Sequence, residues 1–157
     1  MAFTNSNDYI SGRAPVPTPS GVEVLSTRFT LSMAAADAAL NTIGQIGILP
    51  AGCIPIDVRV DMTDPDASAG PAFIVLQVGI WDGSGSSLST DSADGGAHWG
   101  TTTAVTAASS QSLTRNGVAM ESVTKSSSDR KLGVKVTTAP TTAQAFTLGV
   151  TLLYKAA

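Results

Sequence analysis

The sequence predicts an all-β chain: an antiparallel β-sandwich, jelly-roll-like, of about eight strands, behind an extended N-terminal arm. Apolar and polar residues alternate through CIPIDVRVDM from Cys53, IVLQVGIW from Ile74, KLGVKV from Lys131 and FTLGVTLLY from Phe146. Side chains of a strand alternate between its faces, so each segment sets an apolar row on a core and turns the other face to water. Turn formers separate these segments at short intervals, as in two-sheet sandwiches. No repeat of about 20–50 residues recurs, which argues against propellers and solenoids.

Residues 1–21 form the arm and residues 22–157 the sandwich domain. The arm lacks an apolar period and carries Pro15, Pro17 and Pro19 at alternate positions. Proline fixes φ and drives the preceding residue to extended geometry, so the arm is expected to hang outside the domain, or to lie along a neighbouring subunit. Val22 to Met33 follows as a strand with Leu25, Phe29, Leu31 and Met33 in phase. AAADAALNT allows one helical turn near Ala35 to Leu40. Ile43 to Leu49 is extended, and Pro50, Ala51 and Gly52 turn the chain into the strand Cys53 to Met62. There Ile54, Ile56, Val58, Val60 and Met62 are expected inward, with Asp57, Arg59 and Asp61 outward.

A loop, TDPDASAGP, leads to the strand Ala72 to Trp81, with Ile74, Leu76, Val78 and Ile80 in phase, and Asp82-Gly83 make a tight turn. Ser84 to Gly100 is almost wholly small and polar, too long for an ordinary hairpin connection, and is either mobile or a functional excursion. Weaker strands are expected over Thr101 to Ala108, Gln111 to Thr114 and Val118 to Val123, with Asn116-Gly117 as a turn. The last two strands are those from Lys131 and Phe146.

A chain of 157 residues suits one domain. Charged residues are only 13%, the net charge is −3 and the basic residues are scattered singly, so no electrostatic footprint for nucleic acid exists. No secretory leader and no run of about 18 apolar residues is visible, so a soluble chain that does not engage membrane is expected. The core is lean, since aromatics are only 5%. Each buried Val, Leu or Ile contributes about 1.5–3 kcal/mol against about 1–2 kcal/mol of backbone ordering per residue, so association between subunits is expected to add burial.

Catalytic devices are missing from the sequence. His98, the single histidine, sits in GGAHWGT with no G-x-S-x-G serine to serve, and with Trp99 reads as a loop anchor. Cys53, the single cysteine, forms no internal disulfide and reads as a small apolar residue at a strand start. One His and one Cys cannot build a zinc site, and no phosphate-binding glycine loop is present, so no cofactor is expected. Among Asp57, Asp61, Asp64, Asp66, Asp82, Asp91 and Asp94, only Asp64 and Asp66 are spaced as weak Ca²⁺ candidates. Aspartates in turns bond their own backbone, so the expected metal set is none.

The run LPAGCIPIDVRVDMTDPD from Leu49, followed by VGIWDG from Val78 and the closing AFTLGVTLLYKAA, resembles head decoration (cement) proteins of tailed bacteriophages. The likeness extends over Leu25 to Tyr154. It implies a β-sandwich, commonly a homotrimer, made in the host bacterial cytoplasm and seated on the outer capsid surface of the virion, where it bridges the major capsid protein. The expected capsid contacts are the arm, with Pro15, Pro17 and Pro19, and the loop bearing Asp64, Asp66 and Pro71. The alternative is a receptor- or glycan-binding module of a phage fibre, with His98 and Trp99 as its platform, and an enzyme is the third class.

Overall fold

The computed structural model describes residues 2–68, 73–84, 87–105 and 107–157. Nine strands run through them: β1 Val24–Met33, β2 Ile43–Leu49, β3 Cys53–Met62, β4 Val75–Trp81, β5 Gly100–Thr101, β6 Ser109–Ser112, β7 Thr114–Arg115, β8 Arg130–Thr138 and β9 Phe146–Ala156. They form two antiparallel sheets, ordered β1-β9-β3-β6 and β2-β8-β4-β5-β7. The predicted all-β sandwich is what the chain adopts.

The core lies between the sheets. Phe29, Leu148, Val150, Leu152, Val58 and Val60 come from one, and Ile46, Leu76, Val78, Leu132 and Val134 from the other, all buried. β9 is central to its sheet, paired with β1 on one side and β3 on the other, and its in-phase row Phe146 to Tyr154 is buried throughout.

Strand β3 departs from simple alternation. Pro55 faces Tyr154 and Asp57 faces Leu153, so Ile56 is an extra, bulged residue. One inserted residue exchanges the faces of everything beyond it. Cys53 and Pro55 therefore point inward before the bulge and Val58, Val60 and Met62 after it, while Ile54 and Ile56, expected in the core, are only half-buried.

Val118 to Val123 is not a strand. Ala119 N–H donates to Asn116 O at 3.1 Å, Ser122 N–H to Val118 O at 2.9 Å and Val123 N–H to Met120 O at 3.3 Å, a run of turns. Met120 and Val123 are buried and Val118 is exposed, a helical three-residue spacing read as a strand because the residues are apolar. The expected strand Thr101 to Ala108 shrinks to β5 and a bridge from Val105 to Ile74, as the chain crosses between sheets. Thr102 is buried there, its hydroxyl accepting from Leu76 N–H at 3.0 Å. Thr106 lies outside the described residues. The helical turn expected after β1 is a 3-10 turn, Ala35–Ala38.

The sandwich has two ends. One, the β9 start, gathers residues 34–42, 63–68, 102–105 and 139–145. The other, the β9 end, gathers residues 50–52, 82–84, 87–98 and 116–129. β9 spans about 27 Å between Phe146 and Tyr154, at about 3.4 Å per residue.

Candidate contact surfaces

The arm does not hang free. It lies over the open side of the sandwich, where the edge strands β1 and β2 leave their outer carbonyls unpaired. The Asn7 side-chain amide donates to both edges, to Thr30 O at 3.1 Å and Ile46 O at 2.8 Å, and Asn5 donates to Ser32 O at 2.6 Å. Thr4 donates through its N–H and its hydroxyl to the buried Asp37 carboxylate, at 3.0 and 2.7 Å. Tyr9 meets Phe29 edge-on, with ring centroids 5.0 Å apart. Phe3 lies over Gly44, where an added Cβ would stand 2.5 Å from its ring. At the far end the Tyr154 hydroxyl donates to Pro17 O. The arm is thus a lid on the core. Sequence reading put it outside because its anchors are isolated polar and aromatic residues with no period; the signal was two of the few aromatics, Phe3 and Tyr9, placed there.

The end bearing residues 34–42, 63–68, 73–74, 102–105 and 137–145 contains no Lys or Arg among these described residues. Its carboxylates are committed internally. Asp66 is buried and accepts from Ser68 N–H at 2.8 Å, Thr141 N–H at 3.0 Å and Thr142 N–H at 3.1 Å, and Asp64 accepts from Asp66 N–H at 3.0 Å. Burial pushes the Asp66 pKa up, but the Ser68, Thr142 and Thr141 donors outweigh it and the net direction is down. No group of three or more His, Cys, Asp or Glu side chains suited to a metal is found among the described residues. Two large apolar side chains stand out of this end, Leu40 at 59% and Phe73 at 40% exposure. Sequence reading missed both, since each sits alone among small residues.

Residues 87–98 fold back over the outer face of the second sheet. Leu88, buried, fills a notch over Gly133 and Gly79: Cβ atoms added there would stand 3.0 and 3.5 Å from its methyls. Asp91 caps the 3-10 turn Ser92–Asp94 through Ala93 N–H, and Arg130 pairs with Asp94 at 3.2 Å and donates to Cys53 O. Trp99 is 1% exposed, its indole N–H donating to Asp94 O at 3.0 Å. His98 is half-buried, 3.3 Å from the Gln77 amide, and burial lowers its pKa. A sugar platform needs an exposed ring, so Trp99 cannot supply the one expected for a glycan module. Cys53 is buried and its thiol pKa is raised by burial, reinforced by Asp129 against the opposing Arg130 charge.

The residues expected to make contacts fall into two places. Pro15 and Pro17 are exposed, and Pro15 lines a groove with Pro50 and Asp129 near the β9 end. Pro19, half-buried, follows in the chain. Asp64 and Asp66 belong to the opposite end, and Pro71 lies outside the described residues.

No protein-family model matches this chain, and no curated protein matches it. A chain of the capsid of Ralstonia phage GP4 superposes with a TM-score of 0.72 at 27% identity, covering 96% of each chain. The fold is a phage-capsid fold. A chain of the cyanophage Pam1 capsid asymmetric unit shares it, with a TM-score of 0.50 at 17% identity over 96% of each chain. No helix among the described residues is long and apolar enough to cross a membrane.

Proposed function

We propose that this chain is a structural, non-catalytic component of a phage virion, a decoration or cement protein that binds the outer capsid surface and stabilises the lattice. The observation that carries the reading is the likeness, over 96% of both chains, to a chain of the Ralstonia phage GP4 capsid. The major capsid protein is the partner and a homotrimer the bound form. Synthesis takes place in the host bacterial cytoplasm.

The basic-free end faces the shell. Interface centres are depleted of charge and enriched in large apolar side chains, which Leu40 and Phe73 provide. Asp64 lies at the same end. Asp66 acts indirectly, by fixing the loop against Thr141 and Thr142. Pro15, Pro17 and Pro19 are too far away to share that footprint and face lateral neighbours. The mechanism is mass action. A protein that binds the closed lattice and not the opened one stabilises it by RT ln(1 + [L]/Kd) per site.

The test mixes purified protein with expanded empty heads of the encoding phage and counts bound copies. Native protein is expected to saturate a fixed number of sites, and L40D and F73D to lose occupancy while remaining folded. No binding by the native protein overturns the role, and full occupancy by both variants overturns the assigned face.

A further inference from the structure

We propose that the N-terminal arm, residues 2–19, is an exchangeable plug: it seats in the cradle between β1 and β2 of a second copy of this chain and so joins copies together. The cradle is built, since Thr30, Ser32 and Ile46 present carbonyls, Asp37 a buried carboxylate, and Phe29, Gly44 and Tyr154 the sites for Tyr9, Phe3 and Pro17.

Every hydrogen bond from the arm to the sandwich, among the described residues, uses a side chain on one partner; none joins backbone to backbone. The arm is not a strand zipped into a sheet, and it detaches without breaking a ladder. It also holds its own shape. Ser11 N–H donates to Asn7 O at 3.0 Å, Arg13 and Ala14 N–H to Asp8 O at 2.8 and 3.0 Å, and Ile10 N–H to the Asn7 side-chain oxygen at 3.0 Å. A plug folded by local bonds carries the same anchors wherever it docks.

The connection is a free hinge. Ser20 to Glu23, just before β1, are exposed, Val22 completely so, and the Glu23 carboxylate bonds only to Ser20, at its N–H and hydroxyl. Pro15, Pro17 and Pro19 each fix φ on the approach to the hinge and so restrict the bends open to it. Arm and cradle make the same contacts within one copy and between two. Only the hinge distinguishes the two states, so concentration decides between them. The short hinge tethers each arm to its own cradle, so exchange gains on self-docking as the concentration of copies rises.

The experiment attaches a nitroxide to S6C in unlabelled protein, with buried Cys53 protected under native conditions, and mixes it at millimolar concentration with ¹⁵N-labelled native chain. Exchange predicts loss of the ¹⁵N amide signals around Thr30 to Ser32 and Gly44 to Ile46 in chains that carry no nitroxide. Two hinge variants read the same equilibrium by light scattering. Deleting Gly21 and Val22 is expected to drive the chain into oligomers, and inserting a flexible Gly-Ser stretch there to return it to monomer. Unchanged signals in the mixture overturn the proposal, as does a shortened-hinge variant that stays monomeric with its arm in place. Should the deletion variant fail to fold, the mixture and the insertion variant decide.

Discussion

The Tyr154 hydroxyl donates to the Pro17 carbonyl at 2.6 Å, joining the last strand to the arm, and accepts in turn from Thr27, 3.0 Å away. Because the Tyr154 proton goes to Pro17, the Thr27 hydroxyl is the donor in the second bond. Removing the one oxygen orphans both partners. Tyr154→Phe is expected to cost about 1–2 kcal/mol. It should also speed hydrogen exchange in the arm more than in β4 or β8. Denaturant midpoints and native-state exchange check the two effects.

Two glycines in β2 separate the lid from the core. A Cβ on Gly44 meets the Phe3 ring at 2.5 Å and one on Gly47 meets the Phe29 ring at 2.4 Å. Phe3 can lift away with the arm, whereas Phe29 is fully buried and cannot move. Gly44→Ala is expected to release the arm and leave the melting transition nearly in place. Gly47→Ala is expected to destabilise the whole domain by about 1–3 kcal/mol. Limited proteolysis of the first 20 residues beside a thermal melt separates the outcomes.

The strands were legible in the sequence where period and turn chemistry agreed, as in β4, β8 and β9. Where one inserted residue, Ile56, reversed the faces, alternation misassigned Ile54 and Ile56, because periodicity carries no information about pairing partners. Met120 and Val123 misled for the opposite reason: short apolar runs look alike in a strand and a turn. The contact surface was harder still. Asp64 and the prolines were visible as turn and arm formers, but their placement at opposite ends depends on β9 running between them, a tertiary fact. Asn7, Leu40 and Phe73 gave no periodic signal at all.

Leu88 holds residues 87–98 in its notch over Gly79 and Gly133. Truncating a buried leucine costs about 2–5 kcal/mol when the whole fold feels it. Here the cost falls on one loop, which opens locally. Leu88→Ala is expected to raise hydrogen exchange across residues 87–98 while the global transition shifts less than for Leu148→Ala, in the central strand.

Acid should loosen the basic-free end first. Asp66 titrates below its ordinary value of 3.8, so its contribution is present above that value and is lost as the pH falls through the lower, folded-state value. Asp66→Asn is expected to lower the melting temperature at pH 7 and to flatten the acid limb of the pH profile. Melting curves from pH 7 down to about pH 2 test this, and equal acid slopes in both proteins would remove Asp66 as the cause.

Cys53 stands at the start of β3, 2% exposed, with its thiol pKa raised chiefly by burial. A thiol in that setting reacts only after the strand end opens and the proton leaves, so the native chain carries its own clock. Labelling by a chromogenic disulfide reagent will report the rate at which β3 opens away from β9, and any ligand that clamps the sandwich will slow the colour.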